Sequence, residues 1–278
     1  MPPHLVEYVA SPERARFDQI MPITPDGLIL DLGAGLGGIS AELAKEYRVI
    51  ALEGVAERAS FISIRARQDN MVRNLAVMNG DLNTVRFAPE QFDAVVVNGV
   101  LEWVGLFDAS KPVSQVQIEF MQSLRKLLVP GGIVYVGIEN RIGWNQLRGT
   151  PDHSGLKYTS LMPRFMAEWV CRRGTGYRAA LNSGYRTYTY TRWGYARLFK
   201  AAGLRIRSLH IAPRGYNYPT DLIPLRGNAI RHYAGRRAMP ALDFKPRLKK
   251  ALKIAFATEW FWSAFGADFV FMLEADGA

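Results

Sequence analysis

Hydrophobic and polar positions along the chain follow two rhythms. Short, nearly unbroken apolar runs such as LILDL at 28–32 and FDAVVVN at 92–98 alternate with stretches in which apolar residues recur every three or four positions. Runs of that length, rich in Val, Ile and Leu, suit strands covered on both faces; the slower rhythm suits amphipathic helices. The pattern predicts strands at 27–33, 48–54, 75–81, 92–100 and 133–140, the last opened by the turn Pro130–Gly132. It predicts helices at 37–47, 55–70 and 113–128. Repeated strand and helix units of this kind form a parallel sheet with helices on both faces.

The rhythm lapses from about 140 to 186, where Gly, Arg and aromatic residues crowd without period, and returns as a helix over 189–204 stopped by Gly203 and a strand over 205–213. A second irregular stretch, about 213–265, precedes a closing strand at 267–275. The expectation is an α/β, Rossmann-like, seven-stranded, mostly parallel sheet with helices on both faces and two insertions, in one domain over 1–278. With 49% hydrophobic residues and no low-complexity run, the chain should fold throughout. The single cysteine, Cys171, excludes an intramolecular disulfide and a thiolate metal cluster and fits a reducing compartment. The first residues lack the basic-then-apolar layout of a secretory leader, and Glu259 and Asp268 interrupt the apolar stretch near residue 265, so a cytoplasmic chain without a spanning segment is expected. A net charge of +10 biases it toward anionic partners.

The turn after the first strand, DLGAGLGG at 31–38, fits two spacings. Gly33, Gly35 and Gly38 satisfy the G-x-G-x-x-G of a dinucleotide site, whereas Asp31, Gly33, Gly35 and Gly37 satisfy the D-x-G-x-G-x-G expected for S-adenosylmethionine. Electrostatics favours the second. A pyrophosphate at that turn would face Asp31 as a like charge, while S-adenosylmethionine brings an ammonium and a sulfonium, both cationic. Glu53, ending the second strand, suits the ribose hydroxyls and excludes a ribose phosphate. Asp81 after the third strand suits the adenine amino group, with the Leu82 amide beside the ring, and Asn98 and Gly99 end the fourth strand beneath the methionine moiety. This succession, DLGAGLGG, ALEG, NGDL and FDAVVVNGVLEWV on consecutive strand ends, resembles the class I S-adenosylmethionine-dependent methyltransferases over about residues 25–140 and the final strands.

The first insertion opens with IENRIGWNQLRGTPDHSG at 138–155. Here the chain is similar to methyltransferases encoded with bacterial surface-polysaccharide machinery, which carry E-N-R/K-x-G after the fifth strand and D-H-x-G downstream. The matching residues are Glu139, Asn140, Arg141 and Gly143, then Asp152, His153 and Gly155. Their Tyr-and-Pro block after the sixth strand is matched by PRGYNYPT at 213–220, with Arg214 and Gly215 where a Pro-Asp pair would stand. The resemblance implies O-methylation of a sugar or glycan hydroxyl, free or lipid-linked.

Methyl transfer to an alcohol requires loss of a proton, and among the four histidines His153 is the candidate general base, with Asp152 to orient it or to cap a helix. Glu139, Asn140, Arg141, Arg214 and Tyr216 are candidate substrate-binding residues, the arginines suiting a phosphate or carboxylate. No His/Asp/Glu run has metal-ligand spacing, so no metal is expected from local motifs. The alternatives are O-methylation of another small molecule, of quinone or polyketide type, and a basic nucleic-acid-binding protein. The latter is disfavoured because NGVL, not an NPPY-type tetrapeptide, follows the fourth strand. Residues 231–265 gather Arg231, Arg236, Arg237, Lys245, Arg247, Lys249, Lys250 and Lys253, and 247–265 has helical spacing with Trp260 and Trp262 at its end. That pattern suits a helix lying on an anionic membrane surface, or equally a core-facing helix with a solvated basic face.

Overall fold

The structure, a computed structural model, describes residues 11–81, 84–106, 108–174, 184–236 and 255–276. Its centre is a sheet of strands β1 (Leu28–Leu32), β2 (Arg48–Glu53), β3 (Leu75–Asn79), β4 (Phe92–Asn98), β5 (Leu128–Glu139), β6 (Leu204–Ala212), β7 (Ile223–Pro224) and β8 (Asp268–Ala275). The spatial order is β3-β2-β1-β4-β5-β8-β6-β7. Pairing is parallel from β3 to β5; β8 then runs antiparallel to both β5 and β6, and β7 antiparallel to β6. The sheet therefore has eight strands rather than the expected seven, with three antiparallel pairings. The additional strand is the two-residue β7 inside the second insertion, too short to register as a period.

Helices α1 (Gly38–Leu43), α2 (Ala56–Gln68) and α3 (Val113–Arg125) connect the parallel strands. The first insertion contributes α4 (Trp144–Leu147) and α5 (Arg164–Arg173), and α6 (Arg192–Ala201) leads into β6. The second insertion contributes α7 (Gly227–Arg236) and α8 (Glu259–Phe265). Two cores lie on opposite faces of the sheet. One packs Val95, Val97, Phe120, Tyr195, Phe199 and Phe271 under α3 and α6; the other packs Ile29, Ile39, Val96, Ile62, Tyr135 and Met272 under α1 and α2. Residues of β4 alternate between them, as a central strand buried on both faces must.

Before β1, Ser11, Pro12 and Glu13 start a 3₁₀ helix, Pro12–Ile20, the Ser11 hydroxyl accepting from the Glu13 amide at 3.3 Å. Phe17 and Ala15 are fully buried, and Phe17 stacks on Tyr135 with ring centroids 3.7 Å apart. In the second insertion, Thr258 caps α8 by accepting from the Phe261 amide, so the helical spacing read over 247–265 is broken at 257–258. Lys249, Lys250 and Lys253 of that reading lie outside the described residues. Among the described residues no helix is long and apolar enough to cross a membrane.

Candidate active site

At the carboxyl end of β1 the backbone turns through Gly33, Gly35 and Gly37, with φ of +66°, +62° and +72°. Two of them are also sterically closed. A Cβ on Gly33 would stand 2.9 Å from Val100, and one on Gly37 would stand 2.9 Å from Ile62. A side chain at either would fill the turn, so these positions keep the backbone open to a ligand while α1 packs close to the strand.

Acidic groups border that turn. Asp31 is 2% exposed and accepts from the Ser40 hydroxyl at 2.5 Å. Burial lifts its carboxyl to about 6, against the opposing effects of the Ser40 hydrogen bond and the Arg14 charge. Glu53 closes over the turn from β2, accepting from the Gly35 amide at 2.7 Å and the Val55 amide at 2.9 Å. Asp81 follows β3 and is exposed; Leu82 lies outside the described residues. At the end of β4, Asn98 accepts from the Tyr135 hydroxyl at 3.1 Å and donates to Asn217 at 3.4 Å, and Asn217 also accepts from Arg14 at 3.1 Å. Gly99 (φ +70°) lies against Tyr216, whose hydroxyl would be 2.8 Å from a Cβ there. The chemistry of the donor set suits S-adenosylmethionine: carboxylates, the partners its cationic and hydroxyl groups require, border a turn with room for close backbone approach.

Beyond Tyr216 the ends of β4 and β5 carry a second acidic group. His153 Nε2 is 2.9 Å from Glu139 Oε1 and 3.4 Å from Glu102 Oε1. Tyr216 donates to Glu139 at 3.0 Å and to Glu102 at 3.4 Å, while its amide donates to Asp268 at 3.2 Å. Trp103 packs edge-on against the imidazole at 4.7 Å. Glu102 is fully buried; burial and then Glu139 push its carboxyl up to about 8, with His153 opposing. Burial alone would lower His153, but the charge and hydrogen bond of Glu139, then Glu102, outweigh it and lift the imidazole to about 9. Burial works to raise Glu139, and His153 more than offsets it, leaving that carboxyl below its ordinary range. Asp268 is held well above its ordinary range by burial and by Glu139.

The residues read from the sequence divide into two groups. Glu139, His153 and Tyr216 come together, and Asp31, Gly33, Gly35, Gly37, Glu53, Asn98 and Gly99 frame the strand ends. Asp152 stands apart from the imidazole: its carboxylate accepts from Ser154 (2.6 Å), Thr159 (2.9 Å) and Tyr185 (3.0 Å), bracing the loop. Asn140 is fully buried and donates to the Ala264 and Gly266 carbonyls, both at 2.8 Å, tying the two insertions together. Arg141 donates to the Ser160 and Met162 carbonyls at 2.6 and 2.7 Å, an internal fastening rather than a group turned to a ligand. Arg214 is exposed. Sequence reading passed over Glu102, Asp268 and Arg14. The first two had a signal, an acid set inside an apolar run, in VLEWV and ADFVF.

Residues 30–136 match the family described as methyltransferase domain. An uncharacterised protein of Rickettsia prowazekii is 25% identical over 150 residues, 52% of this chain, and the chain spans 57% of that relative's length. A solved S-adenosylmethionine-dependent methyltransferase from Geobacter sulfurreducens, in complex with S-adenosylhomocysteine, superposes with a TM-score of 0.52 at 14% identity, covering 99% of this chain and 98% of that one. Geranyl diphosphate C-methyltransferase from Streptomyces coelicolor, solved with Mg2+, geranyl diphosphate and S-adenosylhomocysteine, gives 0.52 at 14% identity, covering 95% and 78%. Over residues 30–136 the chain thus matches a methyltransferase domain, and the two solved methyltransferases share its fold.

Proposed function

We propose that the chain transfers the methyl group of S-adenosylmethionine to a hydroxyl oxygen of a sugar or glycan, free or lipid-linked. The observation that carries this reading is the Glu102–Glu139–His153 group beside Tyr216, at the strand ends next to the glycine turn. When bound, the cofactor supplies an electrophilic methyl carbon on a sulfonium. Asp31 would meet its ammonium, Gly33, Gly35 and Gly37 would admit it against the backbone, Glu53 would receive its ribose hydroxyls, Asp81 would serve the adenine, and Asn98 and Gly99 the methionine end. The displacement then needs an acceptor atom held in line and water kept out.

An alcohol must also give up a proton, which a neutral amine or a carboxylate need not do before attack. Carboxyl oxygens can hold several sugar hydroxyls at once, and Trp103 offers an aromatic surface beside the imidazole. The meeting of Glu139 and His153 at 2.9 Å joins the two segments on which the resemblance to polysaccharide-associated methyltransferases rests. A cavity of about 440 Å³ bordered by Trp144, Tyr233, Phe256, Phe261, Trp262 and Phe265 supports an acceptor with an apolar part. Its wall includes Ala267, the residue before Asp268 in the chain. Such an acceptor places the enzyme at the inner face of the cytoplasmic membrane, a reading supported by the +10 charge and by Trp260, 67% exposed.

The test is transfer of labelled methyl from the donor to a panel of nucleotide sugars, lipid-linked glycans, small phenols and oligonucleotides. Label in a sugar, made alkali-stable as an ether, is the expected result. Label confined to the phenols would favour a quinone or polyketide acceptor, for which the same apolar cavity is suited, and label in oligonucleotides would overturn both.

A further inference from the structure

We infer that Glu102, Glu139 and His153 form a binding site for one divalent cation. Their three ligand atoms, Glu102 Oε1, Glu139 Oε1 and His153 Nε2, all lie within 4.8 Å of one another. They come from three places: the turn after β4, the end of β5 and the first insertion. With 37 and 14 residues between successive members, no local motif announces them. Ligands about 2.1 Å from a common ion and about 90–109° apart stand about 3.0–3.4 Å from each other. The observed separations of 2.9 and 3.4 Å from the imidazole nitrogen to the two carboxylate oxygens therefore already match a shared coordination sphere.

Two further observations point to an ion rather than to a structural ion pair. Glu102 is fully buried, yet its Oε2 has no hydrogen-bond partner, and the same holds for the buried Oε2 of Glu139. A buried carboxylate oxygen left without a donor is costly, and bidentate coordination, in which each glutamate offers Oε2 beside Oε1, satisfies it. Besides that, three carboxyls, Glu102, Glu139 and Asp268, crowd one site, and among the described residues the ion pairs of the two glutamates are with His153. Two acidic oxygens and one imidazole nitrogen make a donor set for a divalent ion such as Mn2+ or Zn2+. Tyr216, bonded to both glutamates, and Trp103, against the ring, hold the ligands in place from outside, as supporting groups around metal sites do.

Three protein ligands leave coordination positions for a substrate oxygen, the arrangement of catalytic rather than structural sites. That the oxygen is a sugar hydroxyl rests on the function proposed above; the ion's binding does not. The assignment makes His153 a ligand, acting on the acceptor through the ion.

The experiment uses the full chain, stripped with chelator, dialysed and titrated with Mn2+ under electron paramagnetic resonance, in parallel with S-adenosylhomocysteine binding by calorimetry. One bound Mn2+ per chain is expected. Glu102→Gln and His153→Ala should each weaken it by more than about a hundredfold, and Tyr216→Phe by about tenfold. S-adenosylhomocysteine affinity should be kept in all three, which shows them folded. No stoichiometric binding at millimolar Mn2+, or binding that persists in both ligand variants, overturns the site. Mn2+ bound without methyl transfer to any sugar supports the site and counts against the acceptor reading. Methyl transfer with no ion bound overturns the site and leaves the acceptor reading standing.

Discussion

Cofactor affinity should fall with acidity through the titration of Asp31. Its carboxyl sits at about 6 because burial outweighs the Ser40 hydrogen bond and the Arg14 charge. The cofactor's ammonium prefers the ionised form, so affinity follows the ionised fraction: about nine-tenths at pH 7 and about one-tenth at pH 5, a loss of about tenfold. The same burial acts on the protein without ligand. A carboxyl whose folded value exceeds its unfolded one favours the folded state at low pH, and that advantage disappears as pH rises from about 4 through about 6. At about 1.36 kcal/mol per pH unit the loss totals about 3 kcal/mol. Ligand-induced thermal stabilisation should accordingly be larger at pH 7.5 than at pH 5. Ser40→Ala removes a hydrogen bond to the charged form worth about 1.5–3 kcal/mol, and should move the midpoint of the affinity profile up by about one to two pH units. Calorimetric titration with S-adenosylhomocysteine from pH 5 to 8 measures each profile. A flat profile in the unaltered protein, or the same profile in Asp31→Asn, would refute the reasoning.

Further outcomes are expected. Gly37→Ala forces a β-carbon into a left-handed position against Ile62 and should cost about 1–3 kcal/mol of stability by denaturant unfolding, while Gly33→Val should abolish cofactor binding; retained binding would refute the placement of the turn. His153→Ala should lower kcat by about a hundredfold or more with cofactor affinity unchanged; an unchanged rate would give the imidazole a structural role only. Arg141→Ala strands two backbone carbonyls and should destabilise by about 1–3 kcal/mol without changing KM, since its guanidinium is spent on Ser160 and Met162. In flotation, the protein should bind vesicles containing anionic lipid, less so at high salt and in the Lys249, Lys250 and Lys253→Glu variant; no flotation at low salt would refute a membrane role for the basic segment.

The parallel half of the sheet was legible because each strand is an apolar run ended by Gly or an acid, and because each glycine of the turn is demanded by backbone geometry that other residues do not adopt. The meeting of three acids at one sheet edge was legible for the same reason: Asp31 stands one residue before the end of β1, Glu53 ends β2 and Asp81 follows β3. The second acidic group was not. Glu102 lies in a turn after β4, Glu139 at the end of β5 and Asp268 at the start of β8, and only the order β4-β5-β8 brings these positions to one place. His153 was found from its motif, but its partner was sought in the neighbouring Asp152, whereas the loop turns that carboxylate to Tyr185 and Thr159 and leaves Glu139 to hold the ring. Asn140 and Arg141 illustrate the converse, since polar residues beside an active group serve as ties between loops.

Strand β8 has a consequence for how the molecule is assembled. It lies between β5 and β6, with seven residue pairs on one side and eight on the other, so β6 and β7 have no sheet partner joining them to β1–β5 until β8 is in place. During synthesis the strands from β1 to β5 can pair as they emerge, while β6 waits as an unpaired edge for residues 268–275. Asp268 arrives with that strand, and its carboxylate receives the Tyr216 amide. The acidic group can therefore take its final shape only once residues 268–275 have joined the sheet.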